Sequence, residues 1–124
     1  MRLPRPPRRK DRTTNPLPGA VVTTETDGTL TVRSGELLRT QATALAAAAR
    51  RRLAGGDRAI TIDLTAVTHI NADGSDELLH LARDIGRSGA TMTIVVDPGQ
   101  PYHRLRNAGL GALRGVEIVP PTLN

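Results

Sequence analysis

Positions 71–77 of this sequence bring a hydroxyl and three carboxylates together in the order Asn-Ala-Asp-Gly-Ser-Asp-Glu. Asp76 and Glu77 add to a negative cluster around Asp73, and Ser75 lies within this cluster. The leucine-rich segment that follows predicts a helix, so the cluster is expected at a helix start, where negative charge is stabilising.

Other residue types that carry chemistry are absent or poorly spaced. The chain has no cysteine, which excludes disulfides, zinc–thiolate sites and thiol nucleophiles. His69, His80 and His103 do not have the spacing of metal ligands, and no phosphate-binding or dinucleotide glycine loop is present. Asp63, near a predicted strand end, has no acid, base or nucleophile motif nearby and is interpreted as structural or as part of a partner-binding edge. We therefore expect no catalytic residues, no metal and no cofactor, and a protein that is not an enzyme.

The composition predicts one domain with an aliphatic core, because Tyr102 is the only aromatic residue among 124. No apolar run approaches the roughly 20 residues of a membrane helix, and the basic N-terminus is not followed by the apolar segment of a secretory signal. We therefore expect a cytoplasmic protein. The lack of aromatic side chains also disfavours base stacking with single-stranded nucleic acid.

The positive charge of the chain is concentrated in its N-terminal segment. Residues 1–12 hold six basic residues and one acidic residue, which accounts for the whole formal charge of +5. Prolines and like charges predict a disordered tail over residues 1–18, followed by a domain over residues 19–120 and a C-terminal tail over residues 121–124. Two interpretations of the basic tail stay open: attraction to nucleic acid or an anionic membrane, and a solubilising role.

The remaining sequence alternates between strand and helix patterns. Short alternating segments predict strands, and apolar residues at a spacing of three and four predict helices. Such an order favours a mainly parallel sheet with right-handed crossovers, opened by an antiparallel hairpin. The predicted elements are a hairpin of residues 20–24 and 29–33, a helix over 35–54, a strand over 58–64, a helix from 71–74 to 86–89, a strand over 91–96, a helix over 102–108 and a strand over 116–119.

The order and spacing of these pieces resemble the STAS domain family over about residues 19–119. The resemblance implies a mixed sheet of four to five strands, mostly parallel with an N-terminal hairpin, and helices packed mainly on one side. The matching pieces are Asp63-Leu64, Val67, the loop 71–74, the leucine-rich helix at 78–81, the strand at 93–96, the segment 105–110 and the Gly35-Glu36-Leu37 motif before the first helix.

The resemblance is to the anti-sigma-factor antagonists of bacterial transcription regulation. It implies a partner protein, namely an anti-sigma factor with serine kinase activity of the histidine-kinase-like ATPase type. It further implies that the partner contacts one loop and the helix start behind it. Those positions are Asn71, Ala72, Asp73, Gly74 and Ser75 in the loop and Asp76 and Glu77 at the helix start.

The sequence departs from the family pattern at the position that matters most for regulation. The family carries a phospho-acceptor serine just before the loop glycine, and phosphorylation there abolishes binding. Here that position is Asp73, and Asn71 replaces the usual loop aspartate. Asp73 is then either an imperfect phosphoserine mimic or a residue that the partner tolerates. It can also stabilise the fold as a helix N-cap or through its negative charge at the helix N-terminus, a role that excludes neither of the other two. Ser75 is either a displaced phospho-acceptor or an ordinary exposed serine at a helix start.

Two other classes of function stay open beside the anti-sigma-factor antagonist. One is an accessory STAS subunit of a transport or stress-sensing complex. The other is a nucleic-acid-associated protein that acts through its basic tail, which predicts salt-dependent binding. Nucleic acid is not expected as a ligand of the domain itself, no membrane span is expected, and a homodimer is an open alternative.

Overall fold

A computed structural model describes residues 22–24 and 28–121 of the chain. The predicted tail over residues 1–18 lies outside the described residues, as do residues 122–124, so the domain boundaries stay predictions. A 3₁₀ turn, Leu110–Ala112, follows the last helix. The elements in chain order are β1 (Val22–Thr24), β2 (Leu30–Val32), β3 (Glu36–Leu37), α1 (Arg39–Ala54), β4 (Ala59–Asp63), β5 (His69–Ile70), α2 (Ala72–Arg87), β6 (Thr91–Val95), α3 (Gln100–Asn107) and β7 (Val116–Val119).

The main sheet has five strands in the order β1-β2-β4-β6-β7. Strand β1 is antiparallel to β2, with Val22 opposite Val32, and the other pairs are parallel. This arrangement confirms the predicted mixed sheet with its opening hairpin. Within the part of the chain that the structure describes, a second sheet consists of β3 and β5, which pair in parallel with Glu36 opposite His69.

One face of the main sheet forms the core with the two long helices. Strands β4 and β6 alternate between buried and half-buried positions, so each contributes one apolar row to the core. Helix α1 contributes mainly alanines, and their small side chains allow α1 and α2 to pack closely. The helices therefore cover mainly one face of the sheet, as predicted. The buried residues of these elements include Ala42, Leu45, Ala46, Ala49, Ile60, Ile62, Leu78, Leu81, Ala82, Ile85, Met92 and Ile94.

The first helix begins four residues later than the sequence pattern predicts. The helix was expected from Gly35, but Glu36–Leu37 forms β3, and Leu38 is the N-cap of α1. The reason is tertiary, because the Gly35 carbonyl accepts hydrogen bonds from the backbone N–H groups of Thr68 (2.8 Å) and His69 (3.3 Å). The predicted end of the helix is correct, since Gly55 is its C-cap.

Two smaller features concern the turn after β4 and the start of α3. Asp63, at the end of β4, accepts hydrogen bonds at Oδ1 from the Thr65 N–H (2.8 Å) and hydroxyl (2.7 Å), so it organises the turn after the strand. Helix α3 begins at Gln100, two residues before the predicted start.

No helix within the described part of the chain has the length and apolar character needed to cross a bilayer.

Candidate functional site

The loop at residues 71–75 joins β5 to α2, and its first residue caps the helix. Asn71 has an extended backbone (φ −88°, ψ 178°), and its Oδ1 accepts a 2.7 Å hydrogen bond from the Gly74 N–H. This bond satisfies one of the free N–H groups of the first turn. The expectation that Asp73 is the N-cap is therefore wrong, because the capping position is two residues earlier. Asp73 lies within the first turn, where its charge is still favourable.

Gly74 is required by the way α2 packs on β3. It is buried, and a Cβ atom at this position would lie 2.1 Å from the Leu37 carbonyl oxygen. Such a contact is far shorter than any van der Waals separation, so any other residue would push the helix away from the strand. The glycine of this loop thus has a steric function. Leu37 in turn belongs to the Gly35-Glu36-Leu37 motif, so both matching motifs meet at this contact.

The strand before the loop is held by a side chain from another helix. The Ile70 N–H donates to Gln100 Oε1 at 2.9 Å, and Gln100 Nε2 donates to the Ile70 carbonyl at 2.9 Å. Gln100 therefore bonds to both backbone groups of Ile70, as a neighbouring strand would. Sequence reasoning missed this residue. Its position beside a Pro-Gly turn carried no signal that it bonds to a segment 30 residues away.

The hydroxyl of Ser75 is not available at the surface. Ser75 is 3% exposed, and its Oγ donates a 2.9 Å hydrogen bond to the Ala72 carbonyl. The expectation of an exposed serine is wrong because the same helix turn that buries Gly74 also turns Ser75 inwards. A kinase would reach this hydroxyl only after the first turn of α2 had opened. The geometry therefore disfavours Ser75 as a phospho-acceptor.

Asp73 and Asp76 are the outward-facing residues of this helix turn. Both are exposed, and the Asp73 carboxylate makes no hydrogen bond or ion pair with any residue that the structure describes. Glu77 is half-buried, and Ala72 is exposed beside Asp73. Residues i and i+3 of a helix are neighbours, so the two aspartates present their charges together.

The paired strands β3 and β5 add two further exposed side chains beside the loop. Leu37 and Ile70 face the core, whereas Glu36 and His69, which are opposite each other in the ladder, are exposed. Sequence reasoning did not assign these two residues to the site, although the Gly35-Glu36-Leu37 motif pointed to the neighbourhood of Glu36. We call the exposed residues Glu36, His69, Ala72, Asp73 and Asp76 the loop surface.

The loop surface combines exposed carboxylates with a fixed backbone. Its carboxylates are exposed, and the backbone beneath them is fixed by the cap, the glycine contact and the Gln100 bonds. Such a surface can bind donors and cations of a partner with little ordering of its own. Within residues 22–24 and 28–121, no group of three or more His, Asp and Glu side chains is arranged to hold a metal ion.

Comparison with known proteins gave one match. The family model described as "Mlab, STAS domain" matches residues 20–119. No curated protein and no solved structure matches the chain.

Proposed function

The chain belongs to the STAS domain family, and on that premise we propose that it is an anti-sigma-factor antagonist of the cytoplasm that binds an anti-sigma kinase through the loop surface. STAS domains act in general as regulatory domains that bind other proteins. The finer assignment of the partner rests on the resemblance of residues 71–77 to the antagonist loop. In this proposal the protein binds and performs no catalysis.

The observation that carries the proposal is the exposed carboxylate of Asp73, which lies on a fixed helix turn and has no partner among the described residues. By the resemblance of residues 71–74 to the family's loop, Asp73 stands where other antagonists carry the phospho-acceptor serine. Asp73 is exposed, whereas Gly74 and Ser75 are buried. A partner that contacts position 73 therefore faces a permanent negative charge. That charge is smaller than the −1.5 to −2 of a phosphoserine, and the carboxylate lacks the third acceptor oxygen.

This arrangement removes the usual chemical switch. A kinase transfers a phosphoryl group to a hydroxyl, and the two candidate positions offer none, since one is Asp73 and the other is the buried Ser75. We infer that the kinase activity of the partner does not regulate this chain at the loop. The protein is then permanently competent to bind, or permanently in the state that phosphorylation produces in other antagonists.

Calorimetric titration of the full chain with each anti-sigma kinase of the same cell tests the proposal. The native protein is compared with Asp73→Ser, which restores the hydroxyl, and with Glu117→Gln, which removes an exposed carboxylate on β7 away from the loop. We expect native protein and Glu117→Gln to bind equally, at micromolar affinity or better (about −8 kcal/mol). Only Asp73→Ser should become phosphorylated and lose binding when ATP is added.

The other outcomes are equally informative. If only Asp73→Ser binds, then Asp73 acts as a built-in phosphoserine mimic and the native protein is inactive towards that kinase. If neither form binds any anti-sigma kinase, the antagonist assignment is wrong.

A second candidate is favoured by the same lack of a reachable hydroxyl. An accessory STAS subunit of a transport or stress-sensing complex needs a constant interface and no phosphorylation switch. Purification of the tagged chain from its own cells separates the two proposals, because an accessory subunit elutes with a large assembly rather than with one kinase. In both cases Asp73→Arg should weaken the complex, whereas Glu117→Arg should not.

A further inference from the structure

Three arginines converge on a cleft at the C-terminal end of α2. Arg83 and Arg87 lie one turn apart on the helix, and Arg114 comes from the segment between the 3₁₀ turn and β7. The cleft has a volume of about 370 Å³, and none of the described residues that line it carries a carboxylate. Its remaining walls are Ala82, Gly86 and Leu113.

The positive charge of this cleft is not neutralised by the described part of the chain. The side chains of Arg83 and Arg114 make no hydrogen bond or ion pair with a described residue. Arg87 Nη1 lies 3.3 Å from Asp84 Oδ1, but Asp84 Oδ2 already accepts a 2.7 Å bond from Arg50 Nη2. One exposed carboxylate thus serves two arginines, and the cleft keeps a surplus of positive charge.

The helix dipole explains only part of this cluster. Cations are favourable near a helix C-terminus, which accounts for Arg87 in the last turn. Arg83 and Arg87 are four residues apart, however, and like charges at that spacing repel. Arg114 belongs to a different element, so the dipole of α2 does not account for its position in the same cleft.

Close backbone packing brings Arg114 to the helix. Gly86 lies between the two helix arginines, and a Cβ atom there would be 3.3 Å from the Arg114 carbonyl oxygen. The main chain of Arg114 therefore passes directly over α2. Gly115, the next residue, has a positive φ of 80° and turns the chain into β7. The fold therefore fixes the backbone position from which the Arg114 side chain extends.

We propose that this cleft binds a phosphate-type oxyanion, either a phosphate or a diphosphate group. Guanidinium groups present paired N–H donors that match phosphate oxygens, and three of them from two directions can surround such a group. The cleft is about 20 Å from Asp73 along α2 and shares no residue with the loop surface. The inference therefore goes beyond the proposed function and does not depend on it.

Titration of the full chain with pyrophosphate tests this site. Amide chemical shifts are followed at constant ionic strength, so that general screening is held fixed. Arg83→Gln and Arg114→Gln should each weaken binding about tenfold, since each removes charge-assisted hydrogen bonds. Arg114→Lys keeps the charge without the paired donors and should also weaken binding, by a smaller factor.

Two matched controls separate the cleft from other basic residues. Arg51→Gln removes an exposed arginine of α1 outside the cleft, and the double variant Arg8→Gln, Arg9→Gln removes charge from the N-terminal segment. Both should keep native affinity within about twofold. Equal weakening by the controls and the cleft variants would overturn the proposal, as would shifts that avoid residues 82–87 and 113–114.

A parallel arm identifies the source of the phosphate group. Vesicles of phosphatidylglycerol are compared with vesicles of phosphatidylcholine in a sedimentation assay with the same variants. Sedimentation with phosphatidylglycerol that the cleft variants abolish would assign the site to a lipid headgroup. Binding of pyrophosphate without cleft-dependent sedimentation would assign it to a soluble phosphate. Loss of cleft dependence in both arms would show that no such site exists.

Discussion

The two ends of α2 differ in their charge and in what holds them in place. At the N-terminal end, Asp73 and Asp76 are exposed on a turn that is fixed by buried backbone contacts and side-chain caps. At the C-terminal end, arginines line an open cleft and two of them have no partner among the described residues.

The charges at both ends agree with the helix dipole, so charge alone does not distinguish a site from a stable helix. The two ends of α2 do differ in how firmly their backbone and side chains are held. The loop end is held by the Asn71 cap and by the close contact of Gly74 with Leu37, whereas two arginine side chains at the cleft end have no partner among the described residues.

The largest effect is expected from alanine at Gly74, and Gly86, the other glycine of α2, provides the comparison. Gly74→Ala places a Cβ atom 2.1 Å from the Leu37 carbonyl oxygen and should lower the free energy of unfolding by about 3 kcal/mol. Gly86→Ala meets the Arg114 carbonyl at 3.3 Å, so that cost is offset by the better helix propensity of alanine, and the change should stay within about 1 kcal/mol. Urea unfolding of the pair measures the contrast. Equal effects at both glycines would show that the loop end is no more constrained than the cleft end.

Removal of the Gln100 side chain should loosen the loop end selectively. Gln100→Ala breaks both bonds to the Ile70 backbone and should cost about 2 kcal/mol. Hydrogen exchange at the Ile70 amide should accelerate, while the amides of residues 82–86 should accelerate only as far as global stability falls. Asn107→Ala, an exposed change on the same helix, is the control. Unchanged exchange at Ile70 would contradict the role assigned to Gln100.

The cap of α2 provides a smaller, more local test. Asn71→Ala removes the side-chain acceptor for the Gly74 N–H and should lower the free energy of unfolding by about 1 kcal/mol. Asp73→Ala removes only a favourable charge and should cost about 0.5 kcal/mol. Thermal or urea unfolding at low salt compares the two variants. A larger loss from Asp73→Ala would return the capping role to Asp73.

The smallest effect on stability is expected at the cleft end. Asp84→Asn removes the carboxylate that Arg50 and Arg87 share. Because both ion pairs of Asp84 are exposed, the free energy of unfolding should change by less than about 0.5 kcal/mol. Pyrophosphate should bind more tightly, since Arg87 loses its competing acceptor. Asp57→Asn, which disrupts the Arg52 pair outside the cleft lining, serves as the matched control. Weaker pyrophosphate binding by Asp84→Asn would argue against the cleft.

The main sheet could be predicted from sequence because its strands show their own pattern. Strands β4 and β6 alternate over five residues each, and β7 follows a clear turn. Strands β3 and β5 have two residues each, which is too short for any alternation. They exist because Gly35 accepts hydrogen bonds from Thr68 and His69, and such long-range pairing leaves no local signal.

The sequence predicted where the loop lies, but not which of its residues are buried or which residue caps α2. The order of turn residues and leucines located the start of α2, and the family resemblance singled out position 73. The burial of Ser75 and the capping by Asn71 depend on the direction in which the turn faces β3, which is a tertiary property. The Gln100 contact and the arginine cleft join segments about 30 residues apart, so periodicity could not reveal them.

The inward orientation of Gly74 and Ser75 beside the outward orientation of Asp73 separates folding from recognition within three consecutive residues. A change at position 73 alters what a partner meets but leaves the buried contacts of the turn intact. A substitution at position 73 can therefore change the charge of this surface at little cost to folding, whereas its two neighbours are confined by packing. The charge of the helix start and the stability of the domain can thus vary independently of each other.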